Sequence, residues 1–307
     1  MQTVLITGGT GMIGKALTQM LTAKGYAVII LSRSKKNSDQ PNVSFAEWDV
    51  EKQTIGVDAL KKADHIIHLA GANVAEKRWT KKRKQEILES RTKSGALLVK
   101  ALKKNDNKVK TFISASAIGW YGPDNKNPIN NGFKETDPCY EDFLGSTCLQ
   151  WEESTKEIKA LGKRLVYLRI GIVLDNDGGA LKEFKNPLKF GVAAILGSGK
   201  QIISWIHVED LCRMYVYAIE NNISGVFNAV APKPVSNKTL TIELAKAIKG
   251  KRYIPIHVPS FVLKIVLGEM SIEVLKSATI NDDKIRNTGF KFLYPSLEAA
   301  LTELVKK

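Results

Sequence analysis

Cysteine is scarce in this chain. Cys139, Cys148 and Cys212 are its three cysteines, spread over 307 positions with no C-x-x-C pair. An odd, scattered set excludes a disulfide framework, argues against a thiolate zinc site and fits a reducing, cytoplasmic setting. Long apolar runs are missing as well. The longest candidate, Val258 to Leu275, is interrupted by Lys264, Glu269 and Glu273, so no stretch reaches the roughly 18 residues of a membrane span. No basic segment precedes the apolar run that starts at Val4, and no secretory leader is expected. Histidine is limited to four residues. His65 and His68 stand three apart on an expected strand and so face opposite sides, and His257 lies between prolines; no metal site is expected. Internal repeats and low-complexity segments are absent. The most informative gap is in acidic residues: none occurs between Met1 and Asp39.

What is present is an ordinary globular composition, 44% hydrophobic and 25% charged, long enough for one large domain or two ordinary ones. The charge balance is basic, 46 Lys and Arg against 31 Asp and Glu, a net +15. Most of the basic residues are scattered. The densest cluster is Lys77, Arg78, Lys81, Lys82, Arg83 and Lys84. No nucleic-acid motif accompanies it, so neither a nucleic acid nor a membrane is the expected partner. The expected partner is a small-molecule substrate, and the oligomeric state is left open.

Patterning in the first half alternates short apolar runs with helical stripes. Strands are expected at 3–7, 27–31, 43–48, 65–70, 109–114 and 164–170. Ile13, Ala16, Leu17, Met20 and Leu21 mark an intervening helix, with others at 84–104 and 141–161. Such alternation predicts an α/β fold with a doubly wound parallel Rossmann sheet. After Leu174 the turn Asp175-Asn176-Asp177-Gly178-Gly179 opens a different, glycine-richer region, with helices expected at 210–220 and 239–249. The expected division is a nucleotide-binding domain over 1–174 and a smaller C-terminal substrate lobe with a helical cap over 175–307. Segments near 203–230 are expected to return to the main domain.

The strongest motif is Thr7-Gly8-Gly9-Thr10-Gly11-Met12-Ile13-Gly14, placed where a strand ends and a helix begins. Dinucleotide-binding loops need that context: one glycine for the turn, one for close approach of backbone N–H groups to pyrophosphate, one for helix–strand packing. Gly8, Thr10, Gly11, Met12, Ile13 and Gly14 are therefore the candidate phosphate-binding residues, aided by the helix N-terminus. An NAD-binding fold usually carries an acidic residue about 20 positions later, on the ribose 2′-hydroxyl. Here Ser32 holds that place and Arg33 follows. A guanidinium with no competing carboxylate suits a 2′-phosphate, so the expected cofactor is NADP(H).

These residues resemble the short-chain dehydrogenase/reductase superfamily in its extended form, and more closely its atypical epimerase family, related to nucleoside-diphosphate-sugar epimerases. The likeness is carried by the glycine loop, His68-Leu69-Ala70-Gly71-Ala72-Asn73, Ser114 to Gly122, Trp151-Glu152, Leu168 to Leu174, Gly197 to Gln201, Trp205 to Asp210 and Asn228 to Pro232. It implies that Leu69, Ala70 and Gly71 line the nicotinamide-ribose side of the cofactor. Asp49 and Val50 would lie near the adenine, and Glu86 and Arg91 would reach the cofactor from the following helix. Ser116 would hydrogen-bond the reacting oxygen.

One departure from the superfamily pattern concerns the acid/base pair, a tyrosine with a lysine four residues on. The eight tyrosines are followed at that spacing by Ile30, Asn125, Leu144, Gly171, Ile219, Asn221, His257 and Glu298. No lysine is among them. Counting back from Trp151-Glu152 puts the two missing groups near Leu144 and Cys148. Tyr121, five residues after Ser116, is the alternative proton donor, and His207 has a suitable pKa range. Arg169, Lys200 and His207 are the candidate substrate contacts. Two readings follow: an NADP(H)-dependent oxidoreductase or epimerase acting on a small carbonyl or sugar-nucleotide-like substrate, or a non-catalytic NADP(H)-sensing regulatory protein. A nucleic-acid or membrane-surface role for the basic face is the remaining class.

Overall fold

A computed structural model describes the whole chain except residues 35, 125–131, 177 and 307; Asn125 and Asp177, named above, thus lie outside the described residues. In chain order the first lobe contains β1 (Thr3–Thr7), α1 (Met12–Ala23), β2 (Ala27–Ser32), β3 (Val43–Asp49), β4 (Thr54–Ile55), α2 (Val57–Lys62), β5 (His65–His68), α3 (Lys81–Lys104), β6 (Thr111–Ala117), α4 (Phe143–Glu153) and β7 (Arg164–Ile170). There follow β8 (Ile172–Leu174), α5 (Gly179–Leu188), β9 (Val192–Leu196), β10 (Ile202–Ile203), β11 (Trp205–His207), α6 (Val208–Glu220) and β12 (Gly225–Ala229). The chain ends with β13 (Val235–Ser236), α7 (Asn237–Lys249), β14 (Ile254–Val258), α8 (Ser260–Leu267), α9 (Ser271–Leu275), α10 (Asp283–Asn287) and α11 (Leu297–Leu304).

The main sheet runs β12-β7-β6-β5-β1-β2-β3-β4 and is parallel except for β4. Its central strands read as unbroken apolar runs because helices cover both faces. On one face α1 and α6 bring Leu17, Leu21, Leu211 and Tyr215 onto Val4, Ile6, Val28 and Val166. On the other, α2 and α3 bring Leu60, Leu97, Leu98 and Leu102 onto Leu5, Ile66 and Phe112. Burial of roughly 25 cal/mol per Å² of apolar surface on both faces is the main force holding the layers together. Residues beyond 174 build a smaller core from α5, α7 and α11, with Trp205 fully buried in it. The chain then crosses back: β12 pairs with β7, and Ile285 and Phe290 join the core of the main sheet.

Two helices depart from the sequence expectation by more than two residues. α3 starts at Lys81, earlier than 84, because the Thr80 side chain accepts the Arg83 N–H as an N-cap. Four basic residues then crowd a helix start, where the helix dipole disfavours them; Arg83 offsets this by pairing with Glu76 and Glu86. The helix expected over 141–161 is broken after Glu153. There Ser154 Oγ donates to the Trp151 carbonyl and Thr155 Oγ1 to that of Glu152, while Tyr167 Oη donates to the same Glu152 oxygen at 2.6 Å. A short 3-10 turn over Lys156–Leu161 continues the chain. Gly95 of α3 abuts this corner, where a Cβ would lie 2.3 Å from Ser154 Oγ.

Candidate functional site

β1 is flanked by β2 on one side and β5 on the other. The strand order reverses there, and ligands of doubly wound sheets bind in the crevice at the carboxyl ends of such strands. The glycine loop occupies this point. Gly8 has φ +71°, and a Cβ on it would meet the Leu69 carbonyl at 3.0 Å; a Cβ on Gly14 would stand 2.4 Å from the Gly8 oxygen. Both positions are thus closed to any side chain. The Gly11 N–H donates to the Gly8 carbonyl at 3.0 Å, closing the turn. Gly11 is also the N-cap of α1 and has no side chain to offer, and no acidic residue stands in the first turn. The first-turn N–H groups therefore remain open to an anion.

The neighbouring loop is positioned from below. Thr7 Oγ1 accepts from the Leu69 and Ala70 N–H groups, both at 3.1 Å, and shares a 2.7 Å bond with His68 Nδ1. With two N–H groups already on it, the Thr7 hydroxyl sends its own proton to Nδ1, which leaves the His68 proton on Nε2, toward Ser94 Oγ at 3.4 Å. Burial pushes the His68 pKa down to about 3, so the ring stays neutral. Arg91 of α3 packs against Gly71, where a Cβ would lie 3.0 Å from its Cζ. It donates to the Ala72 and Ile87 carbonyls and lies 4.8 Å over the Trp151 ring. Its burial lowers the guanidinium pKa to about 10.

At the far side of β1, Ser32 is buried at the end of β2 and Arg33 is exposed beside it. Ser32 is in register with Glu47 of β3, and Asp49 follows two residues on. Asp49 turns away into its own loop, where its carboxylate accepts from the Glu51 and Lys52 N–H groups. Val50 packs against the core of the second face. Glu86 is paired with Arg83.

A second cluster lies at the carboxyl ends of β6, β7 and β12. Ser116 Oγ donates to Glu152 Oε1 at 2.7 Å. Arg169 grips the same carboxylate with both Nε and Nη2, at 2.9 and 3.1 Å. Its Nη1 donates to Tyr121 Oη at 3.0 Å, and Tyr121 Oη donates to Asn228 Oδ1 at 2.7 Å. The Arg169 guanidinium also stacks 3.6 Å over the Trp120 ring. Ser116, Tyr121, Arg169 and Asn228 are each no more than 2% exposed. Burial opposes the Arg169 charge, but Glu152 more than offsets it and the pKa stands above normal. Burial likewise pushes the Tyr121 hydroxyl up to about 12, against the pull of Arg169.

This geometry corrects several sequence-derived roles. Arg169 has no free face for a substrate anion, because it is buried and Glu152, Tyr121 and the Glu135 carbonyl take four of its five N–H donors. Tyr121, expected as a proton donor, is fully enclosed with Val230, Ala278 and Ile280 around it. His207 is the N-cap of α6: its Nδ1 accepts the Glu209 N–H, and its ring lies against Tyr294. Lys200 sits apart on the turn after β9. Leu144 and Cys148 of α4 face Gly119, where a Cβ would meet Leu144 Cβ at 3.1 Å and Cys148 Sγ at 3.6 Å. Cys148 Sγ donates to the Ala117 carbonyl, and burial pushes its pKa up to about 12. Sequence reasoning missed the central part of Glu152. A signal was available: Gly145, Cys148 and Trp151 mark the buried stripe of α4, and Glu152 lies on it.

Residues 4–143 match the NAD dependent epimerase/dehydratase family, and residues 258–304 match a domain of unknown function, DUF1731. The epimerase family protein YfhF of Bacillus subtilis is 38% identical over 98% of this chain and 97% of its own length. The chain belongs to the epimerase family. A crystal structure of the human epimerase family protein SDR39U1 with NADPH superposes with a TM-score of 0.85 at 30% identity, over 99% of each chain. UDP-glucuronic acid 4-epimerase from Bacillus cereus, with UDP-glucuronic acid and NAD, shares the fold at a TM-score of 0.77 and 22% identity over 99% of each chain. This epimerase-family chain therefore combines the family's glycine loop with a buried, fully paired cluster beside it. Among the described residues no helix is long and apolar enough to cross a membrane.

Proposed function

We propose that this chain binds NADP(H) at the β1–α1 loop and acts as an oxidoreductase or epimerase on a small carbonyl or sugar-nucleotide-like substrate. The observation that carries the cofactor reading is the pairing of an uncapped, acid-free α1 N-terminus with an exposed Arg33 and a non-acidic Ser32 at the end of β2. The fit is chemical as well as steric. Gly8 and Gly14 leave no room for side chains, so the backbone N–H groups of Met12 and Ile13 would face the pyrophosphate. Arg33 would take the 2′-phosphate, where an acidic residue would repel it. The solved relative with NADPH supports the same preference. Leu69, Ala70 and Gly71, held by Thr7, would border the nicotinamide ribose, with Arg91 beneath Gly71.

Bound here, the cofactor would supply or accept a hydride. The chain's own residues set an unusual proton balance around that chemistry. Ser116 spends its hydroxyl proton on Glu152, so it faces a substrate oxygen only as an acceptor. Tyr121 and Cys148 are both raised to about 12 and bonded internally. A proton transferred during carbonyl reduction would thus come from water or from the substrate itself. The internal pairing of Ser116, Tyr121 and Cys148 favours a second reading, an NADP(H) sensor without turnover.

Titration of the protein's intrinsic fluorescence with NADPH and with NADH, repeated on Arg33→Ala, tests the cofactor reading. The expected result is tighter binding of NADPH, with a loss on Arg33→Ala of about tenfold, one charge-assisted hydrogen bond's worth, and little change for NADH. Equal affinity for the two cofactors would overturn it. NADPH oxidation across a panel of aldehydes, ketones and keto sugars then separates enzyme from sensor.

A further inference from the structure

Helix α8, of sequence SFVLKIVL, is apolar nearly all round, yet it lies on the surface with Leu263 its one buried residue. Phe261 is 65% exposed, Ile265 69% and Val266 61%. Ile272 of α9, which packs on α8, is exposed too, as are Ile254 and Ile256 on the strand that leads into α8. A helix of this composition normally belongs in a core, and a contiguous exposed apolar face marks a contact surface.

The surroundings of this face say what it contacts. Arg78 Nη2 donates to the Ile265 carbonyl at 2.8 Å, and the guanidinium borders Gly268. Lys84 pairs with Glu269 in the turn after α8. These contacts place the basic start of α3, with Lys77, Arg78, Lys81 and Lys82, at the end of the apolar helix; Lys264 adds a charge on α8 itself. The nearby acids are fewer than the cations: Glu76 and Glu86 share the single charge of Arg83, with Lys77 and Lys82 also acting on Glu86, while Glu269 pairs with Lys84 and Glu273 with Lys276. Among the described residues no carboxylate lies within ion-pair distance of Lys77, Arg78, Lys81, Lys82 or Lys264.

We propose that the face formed by α8, α9 and the start of α3 docks on an anionic lipid bilayer. Apolar side chains beside unpaired cations match the boundary between acyl chains and negatively charged headgroups. A second copy of the chain fits less well, since a twofold contact of this face with itself would bring two basic clusters together. A nucleic acid would use the lysines but leave Phe261, Ile265 and Val266 bare. The sequence expectation of no membrane partner rested on scattered charge and on the lack of a spanning run. A surface contact needs no span, and the fold sets the densest basic cluster beside an exposed apolar helix.

Flotation with phosphatidylcholine vesicles, alone or with about a third phosphatidylglycerol, tests the proposal. The protein is expected to float with the anionic vesicles only and to be released by high salt. The variant Phe261→Ser/Ile265→Ser should abolish flotation. Lys81→Glu/Lys82→Glu should weaken it by at least about tenfold, given roughly fivefold per basic group at the surface. All four positions are exposed, and an unchanged melting temperature verifies folding. Absence of flotation by the wild-type protein would overturn the proposal. So would flotation that survives the Phe261→Ser/Ile265→Ser change, which would mean charge alone is at work. A dimer in sedimentation that this same variant dissociates, with no vesicle binding, would reassign the face to self-association.

Discussion

The two ends of the crevice are built on opposite principles. At the glycine loop, backbone groups are left open: α1 has no cap, Gly8 and Gly14 exclude side chains, and Arg33 stands in solvent. At the Ser116 cluster, a few strands away, polar groups are closed onto one another: Ser116, Glu152, Arg169, Tyr121 and Asn228 form a continuous buried chain of hydrogen bonds. Open donors cost little where water or a ligand meets them; a buried ion is tolerable only when paired. The first end thus leaves backbone donors open, as the proposed phosphate site requires. The second ties the ends of β6, β7 and β12 to one another.

The sharpest way to break this contrast is to remove one partner from the closed end. Arg169→Ala would leave Glu152 buried and alone, and the expected cost is about 3–5 kcal/mol, read from chemical denaturation. Replacing both, as Glu152→Met/Arg169→Met, should recover most of that loss. If the single change were as mild as a surface substitution, the cluster would not be a structural clamp. At the open end the effect should fall on binding more than on folding. Gly14→Ala forces a Cβ to 2.4 Å from the Gly8 oxygen, so the loop must deform. We expect a stability loss of about 1–3 kcal/mol, with NADPH binding reduced far more than that figure implies. Retained binding would mean the loop is not the phosphate site.

The smallest effect concerns the strand between the two ends. Burial lowers His65 to about 4 and His68 to about 3, from an ordinary value of 6.5. Between those values and 6.5 the unfolded chain binds more protons than the folded one. Stability is therefore complete above about pH 6.5 and declines as pH falls. The melting temperature should be level near neutrality and drop on acidification. Among the described residues His65 has no hydrogen-bond partner for either ring nitrogen, so His65→Leu should make that acid limb shallower at little cost near pH 7. An unchanged acid limb would remove His65 from the cause.

Much of the open end is legible in the sequence. The strand–glycine–helix order and the missing acid after β2 are local signals, because a turn type and a helix start depend on neighbours along the chain. The closed end is not legible in the same way. Arg169 reads as functional from its charge at the end of an expected strand, and Tyr121 from its place five residues after Ser116. Their partners, Glu152 and Asn228, are 17 and 107 positions away. His207 looks like a substrate contact in the sequence, yet its ring serves as the cap of its own helix. The exposure of α8 is equally hidden, since an apolar octapeptide reads as core until the fold decides what covers it. The sequence by itself therefore determined the α/β layering and the glycine turn between β1 and α1, through apolar periodicity and glycine sterics. Only the tertiary structure decided which charges are paired and which apolar face is left bare, because pairing and covering are matters of distance in space.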